Sequence, residues 1–253
     1  MIQRSKQSIQ NEFEAKNIDS FYYSQEFELT FSFSEILRIG YIKKVYGILS
    51  LQLLITLLFT IWTMNSSSLQ TFQKEKIGIL IICVLLAIIL PCVLVCFQTT
   101  MRSVPYNYII LFIFTIAESY IVSYFCSVTE PKIVFMAAFE TFSLVVSLTI
   151  YAFTTKTDFT TKRGMIFVLI CAVFMFSIFY FLTSNQFFHI LVCFLFIIVY
   201  GWFLLYDTQL ILGNKENALD TEDYILGAFM LYTDIVYLFV RILDLLKNLK
   251  SRD

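Results

Sequence analysis

Long apolar runs alternate with short polar breaks along this 253-residue chain. A hydrocarbon core ~30 Å thick takes about 20 helical residues to cross. Runs of that length fit Tyr46–Met64, Ile77–Phe97 (with Pro91 as a kink), Tyr106–Cys126 and Ile133–Phe153. From Gly164 to Tyr206 the only titratable side chain with a positive form is His189, and no acid appears. That stretch is too long for one helix, and the break Thr183-Ser184-Asn185-Gln186 divides it into Met165–Leu182 and Phe187–Leu212. The last run, Tyr224–Leu246, is the least apolar and carries Asp234, Arg241 and Asp244. The pattern predicts an all-α polytopic membrane protein with seven transmembrane helices, the seventh either crossing or dipping in as a re-entrant segment. Residues 1–40 read as a mobile cytosolic tail, 41–247 as the seven-helix membrane domain and 248–253 as a short C-terminal tail.

Composition agrees with this pattern and removes other classes. Apolar residues make up 58% and charged residues 15%, against ~25% charged in soluble domains. Mean hydropathy is +0.77. A net charge of −1 leaves no basic stripe for nucleic acid. The polar N-terminus is unlike a cleavable signal, so the first span is expected to target the chain. With the N-terminus cytosolic, inner segments hold Arg38, Lys43, Lys44, Arg102, Lys156, Lys162, Arg163 and Lys215, and outer loops only Lys74, Lys76 and Lys132. That excess favours N-in, although Lys247, Lys250 and Arg252 then argue against a full seventh crossing. Asn65-Ser66-Ser67 is a glycosylation sequon too close to the membrane to be used. The six cysteines (Cys83, Cys92, Cys96, Cys126, Cys171, Cys193) lie in apolar runs as small buried hydrophobes. With no CxxC and one histidine, spacing offers no zinc ligand set, and no cofactor is expected.

The candidate chemistry is acidic. Asp207 and Asp234 stand inside apolar runs on consecutive helices. A carboxylate near a bilayer centre costs on the order of 2.5–3.5 kcal/mol even on a lenient scale. Two carboxylates brought together cannot both ionise cheaply, so they share a proton and titrate in two separated steps, one of which can fall near neutral pH without histidine. Once deprotonated, such a pair offers hard oxygen ligands suited to Ca²⁺, so proton and calcium would compete. The bland alternatives are a helix-end Asp207 bonded to backbone and an Asp234–Arg241 ion pair seven residues apart. Glu118 lies beside Ser119, Ser123 and Ser127, and Glu140 shares a face with Ser143, Ser147, Tyr151 and Thr154. Both are candidates for lining a polar path, and the Glu118 seam is also suited to close packing.

Enzymatic readings fail on motif. An intramembrane aspartyl protease needs Gly-x-Gly-Asp where this chain has Leu231-Tyr232-Thr233-Asp234, and no Pro-Ala-Leu follows. His189 has no Gly-x-Ser-x-Gly partner for serine chemistry. The chain is not expected to be an enzyme.

Several strings together resemble the Bax inhibitor or Lifeguard proteins (transmembrane Bax-inhibitor-motif family), and the Lifeguard branch in particular. Gly40-Tyr41-Ile42-Lys43-Lys44-Val45-Tyr46 through Gln52-Leu53-Leu54 is similar to FIRKVYxxLxxQLL. Leu148-Thr149-Ile150-Tyr151-Ala152 through Lys156-Thr157-Asp158-Phe159-Thr160 is similar to LTxxAxxTKxDFT. Tyr206-Asp207-Thr208-Gln209 matches YDTQ, and Glu222-Asp223-Tyr224-Ile225 through Leu231-Tyr232-Thr233-Asp234-Ile235-Val236-Tyr237-Leu238-Phe239 is similar to EEYIxAxLxLYLDIINLF. The resemblance covers residues 40–247. It implies a seven-helix fold in the endoplasmic reticulum or Golgi membrane. It also implies a calcium leak gated by pH through the pair Asp207/Asp234, and suppression of cell death. It places an arginine latch at the end of the second span, where this chain keeps only Arg102 of the usual basic cluster. Arg241, standing where the family has an apolar residue, is a substitute counter-charge. The competing expectation is a non-conducting membrane adaptor that binds ion-channel or death-regulating partners.

Overall fold

The computed structural model describes residues 35–96, 103–160, 163–183, 186–213 and 218–250, and these contain helices and connections with no strand among them. The helices are α1 (Glu35–Asn65), α2 (Ser67–Glu75), α3 (Ile77–Cys96), α4 (Tyr106–Ser127), α5 (Pro131–Thr154), α6 (Arg163–Thr183), α7 (Gln186–Leu212) and α8 (Tyr224–Lys250). Contacts divide the chain into two units, Met1–Tyr41 and Ile42–Asp253. Of the first, the described residues form the opening turns of α1, where the Arg38 guanidinium lies 4.8 Å from the Tyr41 ring. The expected tail at 1–34 and the last residues, 251–253, lie outside the described residues.

Among the described residues six helices are long and apolar enough to cross a membrane: α1, α3, α4, α5, α7 and α8. The expected count of seven is therefore not reached. The fifth predicted span coincides with α6, whose stretch Leu169–Ile178 is apolar over a shorter length. Pro91 sits inside α3 without ending it. α2 occupies a connection that the sequence pattern leaves as a loop. Ser66 caps it by accepting a hydrogen bond from the Leu69 amide at 3.4 Å, and Gln73 anchors it by donating to Ser123 Oγ at 2.8 Å.

α8 is the centre of the second unit. Its interface with α7 is the most extensive among the described residues, and it also packs on α4 and α5. α1 reaches it through the Thr56 Oγ1–Tyr232 hydroxyl bond of 2.8 Å. Pairings show that α1, α4 and α8 run one way and α5 and α7 the other. At one end the Tyr108 hydroxyl donates to that of Tyr224 at 3.2 Å, and Lys44 Nζ lies 5.3 Å from the Tyr224 ring. At the other end Lys247 donates to the Val128 carbonyl at 3.4 Å, and Lys250 pairs with Glu130. α8 thus keeps company with α4 from end to end as one unbroken helix of about 40 Å, with no reversal. The lysines that argue against a crossing on charge counting are engaged at that far end, one with an acid and one with a carbonyl.

Candidate functional site

α7 and α8 pack antiparallel in a regular register. From the Lys44 end towards the Lys250 end, Asp207 meets Asp234, the Tyr200 ring meets Tyr237 at 5.5 Å, and the Arg241 guanidinium lies 4.2 Å from the Phe196 ring. Further on, Cys193 and His189 meet Asp244, and Gln186 donates to the Asn248 carbonyl at 3.2 Å. From the Tyr200–Tyr237 contact onwards the register follows heptad-like spacing, since 200, 196 and 193 on α7 step as 237, 241 and 244 do on α8.

The two aspartates are each 6% exposed, and their carboxyl groups face each other within hydrogen-bonding reach. Asp234 Oδ2 is buried and without a hydrogen-bond partner among the described residues. The structure thus brings the two sequence anomalies face to face. Asp207 is held in place from both sides. Thr208 Oγ1 donates to the Leu204 carbonyl at 2.6 Å. Gln209 Nε2 donates to the Thr157 carbonyl at 3.0 Å while its Oε1 accepts from the Phe159 amide at 2.9 Å, tying α7 to the α5–α6 connection. Gly213, at φ 74°, then ends α7 in the left-handed region that favours glycine.

Of the two candidate counter-charges, only Arg241 can be placed, and it does not join this pair. Arg102 lies outside the described residues. Arg241 stacks on Phe196 and forms no ion pair with Asp234 among the described residues, because its side chain follows the α7–α8 seam towards the Lys250 end. It lines a cavity of about 340 Å³ together with Glu118, Tyr200, Tyr237, Asp244 and Lys247. Glu118 is 2% exposed and accepts from the Tyr237 hydroxyl at 3.1 Å. Tyr200 lies within electrostatic reach of Arg241, Asp234 and Glu118. Glu140 lies elsewhere, on the exposed face of α5 between Phe139 and Phe142. The hydroxyls of its stripe bond their own helix, with Ser143 donating to the Phe139 carbonyl and Ser147 to the Ser143 carbonyl.

Sequence reasoning missed a buried polar column on α1. Gln52 donates to Thr115 Oγ1 at 2.9 Å, and Thr56 Oγ1 lies 3.0 Å from Ser119 Oγ besides reaching Tyr232. The signal was available, since Gln52, Thr56, Thr60 and Thr63 repeat at helical spacing on one face, and all four are buried. Packing likewise brings His189, Cys193 and Asp244 together, a grouping that motif spacing does not reveal.

Residues 38–252 match the family described as Inhibitor of apoptosis-promoting Bax1. The chain is 34% identical to protein lifeguard 3 of Homo sapiens over 83% of its own length and 68% of that protein. It is 34% identical to protein lifeguard 3 of Mus musculus over 82% and 69%. It is 29% identical to Bax inhibitor 1 of Schizosaccharomyces pombe over 86% and 79%. Asp207 and Asp234 thus meet at the seam of two helices of membrane-crossing length, in a chain that belongs to the Bax inhibitor family, on its Lifeguard side.

Proposed function

We propose that this protein is a pH-sensitive calcium leak of an intracellular membrane, the endoplasmic reticulum or Golgi, with its N-terminus cytosolic and the Asp207–Asp234 pair as its gate. The carrying observation is the close approach of two buried carboxyl groups on consecutive helices. Two carboxyls supply at most four oxygens, whereas Ca²⁺ takes about 6–8, so water completes the shell and the site binds weakly enough to release the ion. The cavity beside Glu118 and Tyr200 supplies a polar approach from the Lys250 end. A pair that keeps a negative charge holds a divalent cation, and a second proton competes it off, so flux rises on acidification. Membership of the Bax inhibitor family supports regulation of cell death as the cellular setting.

Reconstitution in liposomes loaded with a calcium dye tests this reading. Flux is expected between about pH 6 and 8, with Asp207→Asn and Asp234→Asn each removing its pH response. Flux that falls steadily on acidification would reverse the direction alone. Sealed vesicles at every pH would instead favour a non-conducting adaptor for membrane partners.

A further inference from the structure

We propose that His189, Cys193 and Asp244 form a binding site for a zinc-class divalent ion, at the α7–α8 seam near the Lys250 end. His189 and Cys193 are four residues apart, which puts both on one face of α7, and Asp244 faces them from α8. His189 Nε2 lies 3.3 Å from Asp244 Oδ2, Cys193 Sγ lies 3.3 Å from the same oxygen, and Sγ and Nε2 are 4.0 Å apart. A tetrahedral zinc ion with bonds of ~2.0–2.3 Å separates its donors by about 3.3–3.8 Å, so the triangle is already close to the size of one face of that tetrahedron.

The chemistry of the three donors fits such an ion and not a larger, harder one. Thiolate, imidazole and carboxylate form a borderline-soft set, whereas Ca²⁺ asks for oxygen alone. A thiolate, a carboxylate and a neutral imidazole together carry two negative charges and cancel those of the ion, with the Cys193 proton released to solvent on binding. The outer shell is also in place, because Asn248 Nδ2 donates to Asp244 Oδ1 at 2.9 Å and leaves Oδ2 turned to the other two donors. Asp244 borders the cavity at the Lys250 end, which gives an ion a way in and leaves the fourth position to water. The triad does not suit nucleophilic catalysis. Asp244 meets the same histidine nitrogen that faces the thiol, so it cannot orient the ring from behind.

The bound ion would join α7 to α8 about 15 Å along the helix from Asp234. The test uses the full chain in detergent, stripped of metal with a chelator and titrated with Co²⁺. The expected result is one Co²⁺ per chain, with the visible bands of tetrahedral cobalt and a thiolate-to-metal charge-transfer band, both erased by Zn²⁺. Cys193→Ser removes the charge-transfer band, Asp244→Asn and His189→Gln weaken binding by at least about tenfold, and Asn248→Ala weakens it by roughly tenfold or more. Cys171→Ser, on another helix, leaves the spectrum unchanged. Absence of the charge-transfer band from the unsubstituted chain overturns the proposal, whether or not any variant folds. Its persistence in Cys193→Ser does so as well.

Discussion

α3 and α8 are both single helices of membrane-spanning length, and they are built in opposite ways. α3 is the most apolar candidate span, yet only 17% of it is buried, and Ile81, Ile82, Leu85, Ile88 and Ile89 all point outwards. α8 is the least apolar, and 56% of its most apolar 18-residue stretch is buried, with Ala228, Leu231, Tyr232, Asp234 and Leu238 among the buried residues of the helix. In water the ranking would run the other way. Lipid is as apolar as leucine, so apolar side chains gain little by leaving it, and what gathers inside is whatever lipid cannot solvate. Hydrophobicity here marks the outside of the molecule, and polarity marks its centre.

The contrast can be broken most sharply from the α3 side. Ile81→Arg puts a charge on the lipid face at an expected cost of ~3 kcal/mol, read as a fall in membrane insertion. An apolar change there should be silent, so Ile82→Phe is expected to leave the unfolding midpoint in detergent unmoved. Bulk at the centre of α8 is next in size. Ala228 is 0% exposed, and Ala228→Phe is expected to destabilise by about 1–3 kcal/mol through overpacking, seen as a lowered midpoint in the same assay. Smallest is the loss of one interior hydroxyl. Tyr232→Phe removes the bond to Thr56 and is expected to cost about 0.6 kcal/mol, a shift that a double-mutant cycle with Thr56→Val would assign to this pair. If Ile82→Phe proved as damaging as Ala228→Phe, the inside-out reading would fail.

Much of this arrangement can be read along the chain. The apolar runs place the membrane helices, and two acids on consecutive runs announce a pair before any coordinates exist. Their contact needs the antiparallel register of α7 and α8, which the short connection between those runs makes natural. Other features depend on three-dimensional partners. α1 is already helical at Glu35, the first described residue, well before the apolar run that starts at Tyr46, because helix hydrogen bonds do not stop at the membrane surface. Arg241 has two acids on its own helix, Asp234 and Asp244, and the Phe196 ring that it covers is visible only once α7 is laid beside α8. Glu140 and Glu118 look alike in their strings, and only rotation about the helix axis sends one outwards and the other to Tyr237. Asp244 reads as the polar end of a helix until it meets the lone histidine of the chain.

The place of α8 in the bundle also bears on how the protein is made. Translation delivers helices in chain order, so α8 leaves the ribosome after every helix that it touches. Until then Thr56 lacks the Tyr232 hydroxyl, Glu118 lacks that of Tyr237, and Asp207 lacks its partner carboxyl. The earlier helices must therefore wait in the membrane with polar groups facing lipid or the translocon. Assembly ends when α8 enters between them, and the keystone of the bundle is its last stone.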